Sequence, residues 1–291
     1  MTYSARVICD SIAQGTRLTT MEVVFPRIVL AEFNTHRMLS RNSASSRAIP
    51  VEKRIAAVRE NPFIPEAFAA NKKGMQAGDV LDRVDQDFAR SSWKEACDDA
   101  LRHAEALVHL GVHKQWANRL LEPFSWHTVV VTATEWENFF NLRISALAQP
   151  EIYNVAVLMK EALDKSTPVV RDNRGDELRY HLPYLQEDEL VAVKEGDAKA
   201  LERAIKISTA RCARVSYLTQ NGIRDPEEDL KLHDRLLGSR HMSPFEHVAY
   251  ASIITRTSSQ NDFCGNFRHP WVQYRKMIHG EAVAPREEPE A

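Results

Sequence analysis

A chain of 291 residues with a net charge of −2 and 27% charged residues is long enough to bury one large core or two small ones. The near-neutral balance excludes a general affinity for polymeric nucleic acid, so any phosphate recognition has to be local. No apolar run approaches the ~20 residues that span a bilayer, and the start of the chain lacks a signal-peptide layout, which makes the cytoplasm the expected location.

Residues 5–9 and 21–25 run alternating or β-branched and predict two strands joined by a turn near Gly15. Pro26 then opens a predicted helix carrying Ile28 to Met38, since proline is tolerated in a first turn. Residues 50–78 hold three prolines, two glycines and a Lys-Lys pair, and read as an irregular excursion, a lid or an interface arm. Apolar positions from Val80 to Val108 recur with helical spacing, so one long amphipathic helix is expected over 79–110, ended by Gly111. A shorter helix over 113–121 stops before Pro123.

Residues 128–133 (Thr-Val-Val-Val-Thr-Ala) form the clearest strand, and a helix follows from Glu135 to Asp164 with a kink or break at Pro150. Residues 166–196 are turn-rich and predict a hairpin or linker. Helices are expected over 197–213 and 226–237, and a strand over 248–255. The basic aromatic cluster from Phe267 to Lys276 suits either stacking on a ring or packing of a terminal helix. The acidic, proline-bearing tail 281–291 is expected to be disordered.

The stretch on which the rest is organised is residues 35–47. It holds His36, three arginines (Arg37, Arg41, Arg47), four serines (Ser40, Ser43, Ser45, Ser46) and Asn42 within thirteen positions. A donor-rich segment leaving an apolar element suits an anionic ligand, because guanidinium forks pair with phosphate oxygens and hydroxyls fill in between. Composition alone is equally that of a solvated serine-rich loop.

The spacing resembles the signature of the flavin-dependent thymidylate synthases: Arg-His-Arg, seven residues, Ser, with an Asn in the gap and an Arg two places after the Ser. His36, Arg37, Ser40, Asn42, Ser45 and Arg47 stand at matching positions, and Thr35 replaces the first arginine. A second segment, 138–152, is similar to the family's Asn-Phe-x-x-Leu-Arg…Ala-Gln-x-Glu-Ile, with Tyr153 where an arginine usually follows. The arginine expected just before the strand is replaced by Trp126 or His127. Cys212-Ala-Arg-Val-Ser216 and His241-Met-Ser-Pro-Phe-Glu-His247 resemble motifs that normally precede the signature but here follow it.

The resemblance implies an α/β (α+β) fold, a mixed or antiparallel sheet flanked by long helices. It suggests a single domain over 1–291, with a family-atypical C-terminal block at 197–280. It implies FAD as cofactor, NADPH and methylenetetrahydrofolate as co-substrates, and methylation of dUMP to dTMP by hydride delivered from reduced flavin. His36, Arg37, Ser40, Asn42, Asn141, Arg143, Ser216, Ser243 and Glu246 would hold the flavin. Glu32, Ser45, Ser46, Arg47 and His127 would hold the pyrimidine deoxynucleoside monophosphate. His36, Arg47 and Tyr153 are the expected catalytic residues. A homotetramer with sites between subunits is likewise implied, with folate bound and no metal.

The cysteines fit that route. Cys9, Cys97, Cys212 and Cys264 are scattered, with no CxxC pair or zinc spacing, so neither a disulfide framework nor a structural metal is expected. None sits in the Pro-Cys-His setting of the cysteine-dependent thymidylate synthases, whose thiolate adds to pyrimidine C6. Two alternatives stay open: one-carbon transfer, by methylation or hydroxymethylation, to another pyrimidine nucleotide such as dCMP, and a non-catalytic flavin- or nucleotide-binding protein.

Overall fold

A computed structural model describes residues 2–171, 179–215, 224–252 and 265–281. Strands β1 (Ser4–Ala13) and β2 (Thr16–Pro26) form an antiparallel hairpin. Its turn residues Gln14 and Gly15 both take positive φ (46° and 76°), the mirror-image turn whose twist matches that of the strands. One turn of 3₁₀ helix leads into α1 (Leu30–Asn34), then strand β3 (Ser40–Ser43) and α2 (Val51–Glu60).

Helix α3 (Arg83–His109) is N-capped by Asp82, which accepts from the Asp85 backbone N–H at 2.9 Å. After α4 (Lys114–Leu120) come β4 (Trp126–Ala133), α5 (Glu137–Arg143) and α6 (Pro150–Lys165). Short strands β5 (Val169–Val170) and β6 (Tyr180–His181) precede α7 (Val191–Lys194), α8 (Ala198–Arg214) and α9 (Pro226–Gly238). A 3₁₀ turn at Ser243–Glu246, β7 (Ala249–Ala251), β8 (Trp271–Gln273) and α10 (Tyr274–Met277) complete the order.

The main sheet runs β3-β4-β2-β1-β5, antiparallel except for the β1–β5 edge. Period-2 alternation divides its side chains between two faces. One face carries Met21, Val23, Phe25, Val129, Val131 and Ala133 into a core shared with Phe33, Phe139, Ile152 and Val155. The other carries Ser11, Thr20 and Thr132 toward the C-terminal block. There His181 contacts Thr20 at 2.8 Å and Ser11 at 2.9 Å, and His247 contacts Thr132 at 2.8 Å. Thr20 and Thr132 complete the chain across the strands at 2.7 Å. The second sheet, β6-β7-β8, packs on this side through Ala249, Ala251 and Trp271 against Ala13 and Leu18.

Helices α8 and α9 are joined by a buried ionic cluster. Arg211 binds Asp229 at 2.9 Å and Glu189 at 2.7 Å, while Arg214 reaches Asp229 at 2.6 Å. The paired carboxylates are what make a buried guanidinium tolerable.

Four expectations change in detail. The signature does not stay in a helix and loop: its middle, Ser40–Ser43, is an edge strand. The excursion after Pro50 begins with a helix, α2, because Val51, Ile55 and Val58 share one face over the cluster containing Cys97, Leu101 and Leu121. The 135–164 helix is broken rather than kinked, but over residues 144–149, so that Pro150 starts the second helix. The expected strand at 248–255 is described as Ala249–Ala251; residues 253–264, and the tail from 282, lie outside the described residues.

Candidate functional site

Two cavities flank the signature. The first, about 330 Å³, is lined by Thr35, His36 and Arg37 on one wall and by Glu135, Asn138 and Arg143 on the other. α1 ends just before it. Arg41 donates to the carbonyls of Asn34 (2.8 Å) and His36 (3.0 Å), satisfying acceptors that the helix leaves open. That contact requires Arg41 to point to the face of α1, and the β3 register does so: Arg41 pairs with Val131, whereas Ser40 pairs with Thr132 and Asn42 with Val130.

His36 is set between Arg143 and Phe139. Arg143 Nε donates to His36 Nε2 at 2.8 Å, and the ring meets Phe139 edge-on at 4.9 Å. Burial, with repulsion from Arg143 and Arg41, lowers its pKa to about 4. A guanidinium cannot accept, so Nε2 carries the lone pair and the neutral ring keeps its proton on Nδ1. Arg143 also reaches Thr35 Oγ1 and the Glu32 carbonyl, both at 3.3 Å. The Glu32 Oε2 atom is buried with no partner among the described residues, and Glu32, expected in the nucleotide pocket, lies outside both cavity linings.

Ser40 and Asn42 project the other way. Asn42 donates to the Cys212 carbonyl at 2.8 Å and accepts from Ser243 Oγ at 3.1 Å. Ser40 Oγ accepts from Gln273 Nε2 at 3.0 Å, and Asn266 donates to the Arg37 carbonyl at 3.1 Å. Gln273 comes so close to Gly265 (φ 60°) that a Cβ there would lie 1.9 Å from its side-chain oxygen. Only glycine fits. Ser243 thus meets the signature from a part of the chain 201 residues away, while Glu246 is paired with Arg275.

The remaining residues divide. Ser45, Arg37 and Arg47 are exposed. Ser46 is buried and donates to Glu122, which also pairs with Arg27 at 3.0 Å. Arg27 in turn lies 3.2 Å from His127 Nδ1. His127 is buried, and its pKa falls to about 3 through burial and the neighbouring Arg27 and Arg54. His127 therefore lines the second cavity, with Arg54 and Trp126, rather than the His36 pocket. Asn141 and Tyr153 are exposed on α5 and α6, outside both linings. Ser216 lies outside the described residues.

Sequence reasoning missed Glu135 and Asn138 in the pocket wall and Gln273 beneath Ser40. Gln273 stands inside the aromatic cluster at 267–276, but nothing in its neighbours announces a buried amide. Burial raises the thiols of Cys9 and Cys212, and that of Cys97 to about 11. Among the described residues no three metal-binding side chains converge, and no helix is long and apolar enough to cross a membrane.

Comparison with known proteins bears on the family. No curated protein matches the chain. Among the solved structures that resemble it are two of a UMP/dUMP methylase PolB from Streptomyces cacaoi. The one bound with 5-Br UMP has a TM-score of 0.47 at 18% identity, covering 56% of this chain and 89% of that one. The one bound with 5-Br dUMP has a TM-score of 0.41 at 19% identity, covering 51% and 67%. The profile of the family described as thymidylate synthase complementing protein matches residues 16–169, more than half of the chain and the whole span from β2 to β5. With that match over the sheet and the signature, the chain belongs to the thymidylate synthase complementing protein family, the flavin-dependent thymidylate synthases, and is a thymidylate synthase-like methyltransferase.

Proposed function

We propose that the chain methylates dUMP to dTMP with FAD as cofactor and with NADPH and methylenetetrahydrofolate as co-substrates, without a cysteine nucleophile. The observation that carries this reading is the neutral His36, bonded to Arg143 and flanked by Arg37, in a chain whose described thiols are kept protonated by burial. A thiol that stays protonated cannot add to a pyrimidine ring.

The donor set fits a flavin dinucleotide. His36 offers Nδ1–H while its other nitrogen is occupied, and Arg37 offers an exposed guanidinium for a diphosphate. Bound FAD would supply the hydride chemistry that the side chains lack. The protein's part is then positioning: Arg143 holds the His36 ring, and Arg41 holds the turn that carries it. Ser45 and Arg47, exposed beyond β3, would take the nucleotide phosphate. Exposed Arg37 and Arg47 are also free to meet a neighbouring subunit, in keeping with a cytoplasmic homotetramer whose sites are shared.

Glu32 favours one second reading. Its carboxylate, one oxygen of which has no partner among the described residues, would accept from a base with an exocyclic amine, such as the cytosine of dCMP, if substrate binding opened the wall of α1 to it. The test is the absorbance of the purified protein at the flavin bands, followed by turnover of dUMP and dCMP with mass-spectrometric identification of products. A yellow protein that makes dTMP supports the first reading. Turnover of dCMP alone moves the assignment to the second, and a colourless protein that FAD cannot reconstitute refutes both.

A further inference from the structure

The second half of the signature rests on α4. Residues 45–49 close one turn, in which the backbone N–H groups of Ala48 and Ile49 donate to the Ser45 carbonyl at 3.0 and 3.4 Å. Ser46 and Ile49 face inward from it, while Ser45 and Arg47 stand exposed. The inward side is held by Lys114, Asn118 and Glu122, which are spaced four apart and so share one face of α4 and the 3₁₀ turn that follows it. Asn118 is fully buried, and its amide donates to the carbonyls of Ser46 at 2.8 Å and Ile49 at 2.9 Å. Lys114 Nζ donates to the Ala48 carbonyl at 3.3 Å, and Glu122 accepts from the Ser46 hydroxyl. Three carbonyls of one turn thus take their donors from a helix 66 to 72 residues away.

Only one orientation of the Asn118 amide is compatible with these contacts. Turned over, its oxygen would meet two carbonyl oxygens and its N–H donors would be stranded in the core. Its Oδ1 has no partner among the described residues, so the side chain serves the turn through its donors alone. Ser46, expected on the nucleotide phosphate, commits its hydroxyl to Glu122 instead. We propose that Asn118 is a positioning residue of the nucleotide site, assisted by Lys114: it fixes the inward side of the turn and thereby aims Ser45 and Arg47 at the nucleotide phosphate. The inference rests on the reading that Arg47 holds that phosphate. A fixed turn lowers the ordering cost of binding for the long, exposed Arg47 side chain.

The test is a double-mutant cycle on dUMP affinity, measured by calorimetric titration of the full purified chain with Arg47→Ala, Asn118→Leu and the two combined. Leucine is close to asparagine in size and donates nothing. Arg47→Ala should weaken dUMP about tenfold or more, as expected when a hydrogen bond to a charged group is removed. Asn118→Leu should weaken it about fivefold or more with unchanged flavin absorbance, and should add nothing once Arg47 is alanine. Its KM for dUMP should rise while kcat stays close to wild type. Lys114→Met should act in the same non-additive way and Lys114→Arg, which keeps a donor, should not; this pair carries the test if Asn118→Leu does not fold.

An equal loss from Asn118→Leu with and without Arg47 marks a general loosening of the fold and overturns the proposal. Wild-type dUMP affinity in Asn118→Leu overturns it too, and leaves the phosphate role of Arg47 standing. If Arg47→Ala itself binds dUMP as wild type does, the role of Arg47 fails and the proposal falls with it.

Discussion

Arg143 Nε donates to His36 Nε2 across 2.8 Å, so a cation and an imidazole share one wall of the pocket and the imidazole has to stay neutral. Replacing Arg143 by Gln removes one of the two repelling charges but leaves the larger contribution, burial. The His36 pKa should then rise from about 4 without reaching the ordinary value near 6.5. Histidine ¹⁵N titration checks this. In wild type the His36 resonances should not move between about pH 5.5 and 8, and an unchanged titration in Arg143→Gln would show that the contact does not set the charge state.

Asn42 ties the edge strand to the C-terminal block by donating to the Cys212 carbonyl and accepting from Ser243. Asn42→Ala leaves the Cys212 carbonyl without this donor and should cost about 1–3 kcal/mol in urea unfolding. Asn42→Asp should cost more, since a carboxylate cannot donate to that carbonyl. Equal stability of wild type and Asn42→Asp would rule out the contact as drawn.

Acid should destabilise the fold well above the carboxylate range. His127, His181 and His247 are held neutral by burial with pKa values of about 3, and His36 with one of about 4. The unfolded chain takes up these protons below about pH 6.5, the folded chain only near pH 3 to 4. Their contribution to stability is therefore complete above pH 6.5 and lost as pH falls from there toward 3. Urea midpoints measured from pH 7.5 to pH 5 should decline, and His247→Asn should show a shallower decline. A flat wild-type profile over that interval contradicts the buried, neutral assignment.

What the sequence carried plainly was apolar patterning. β2 and β4 announce themselves by β-branched runs, and α3 by its helical stripe, because these elements are built by burying hydrocarbon. β3 escaped notice because Ser-Arg-Asn-Ser has no apolar alternation. It is a strand whose two faces are satisfied by hydrogen bonds, Arg41 to α1 and Asn42 to α8, and such partners lie far away in sequence. The Val51, Ile55, Val58 stripe of α2 was present but masked by the prolines that follow it. The spacing of the signature pointed to His36, yet not to Arg143 as its immediate neighbour, nor to Arg54 as a buried charge. A side chain's solitude is a property of the fold, and no local pattern encodes it.

The alternation along β3 makes the distance between His36 and Ser45 rigid in a way its chemistry is not. Conservative exchanges of serine or asparagine alter single contacts, but inserting or deleting one residue would turn Arg41 toward α8 and Asn42 toward α1 at a stroke. Point variation within this segment should therefore be far better tolerated than any change in its length.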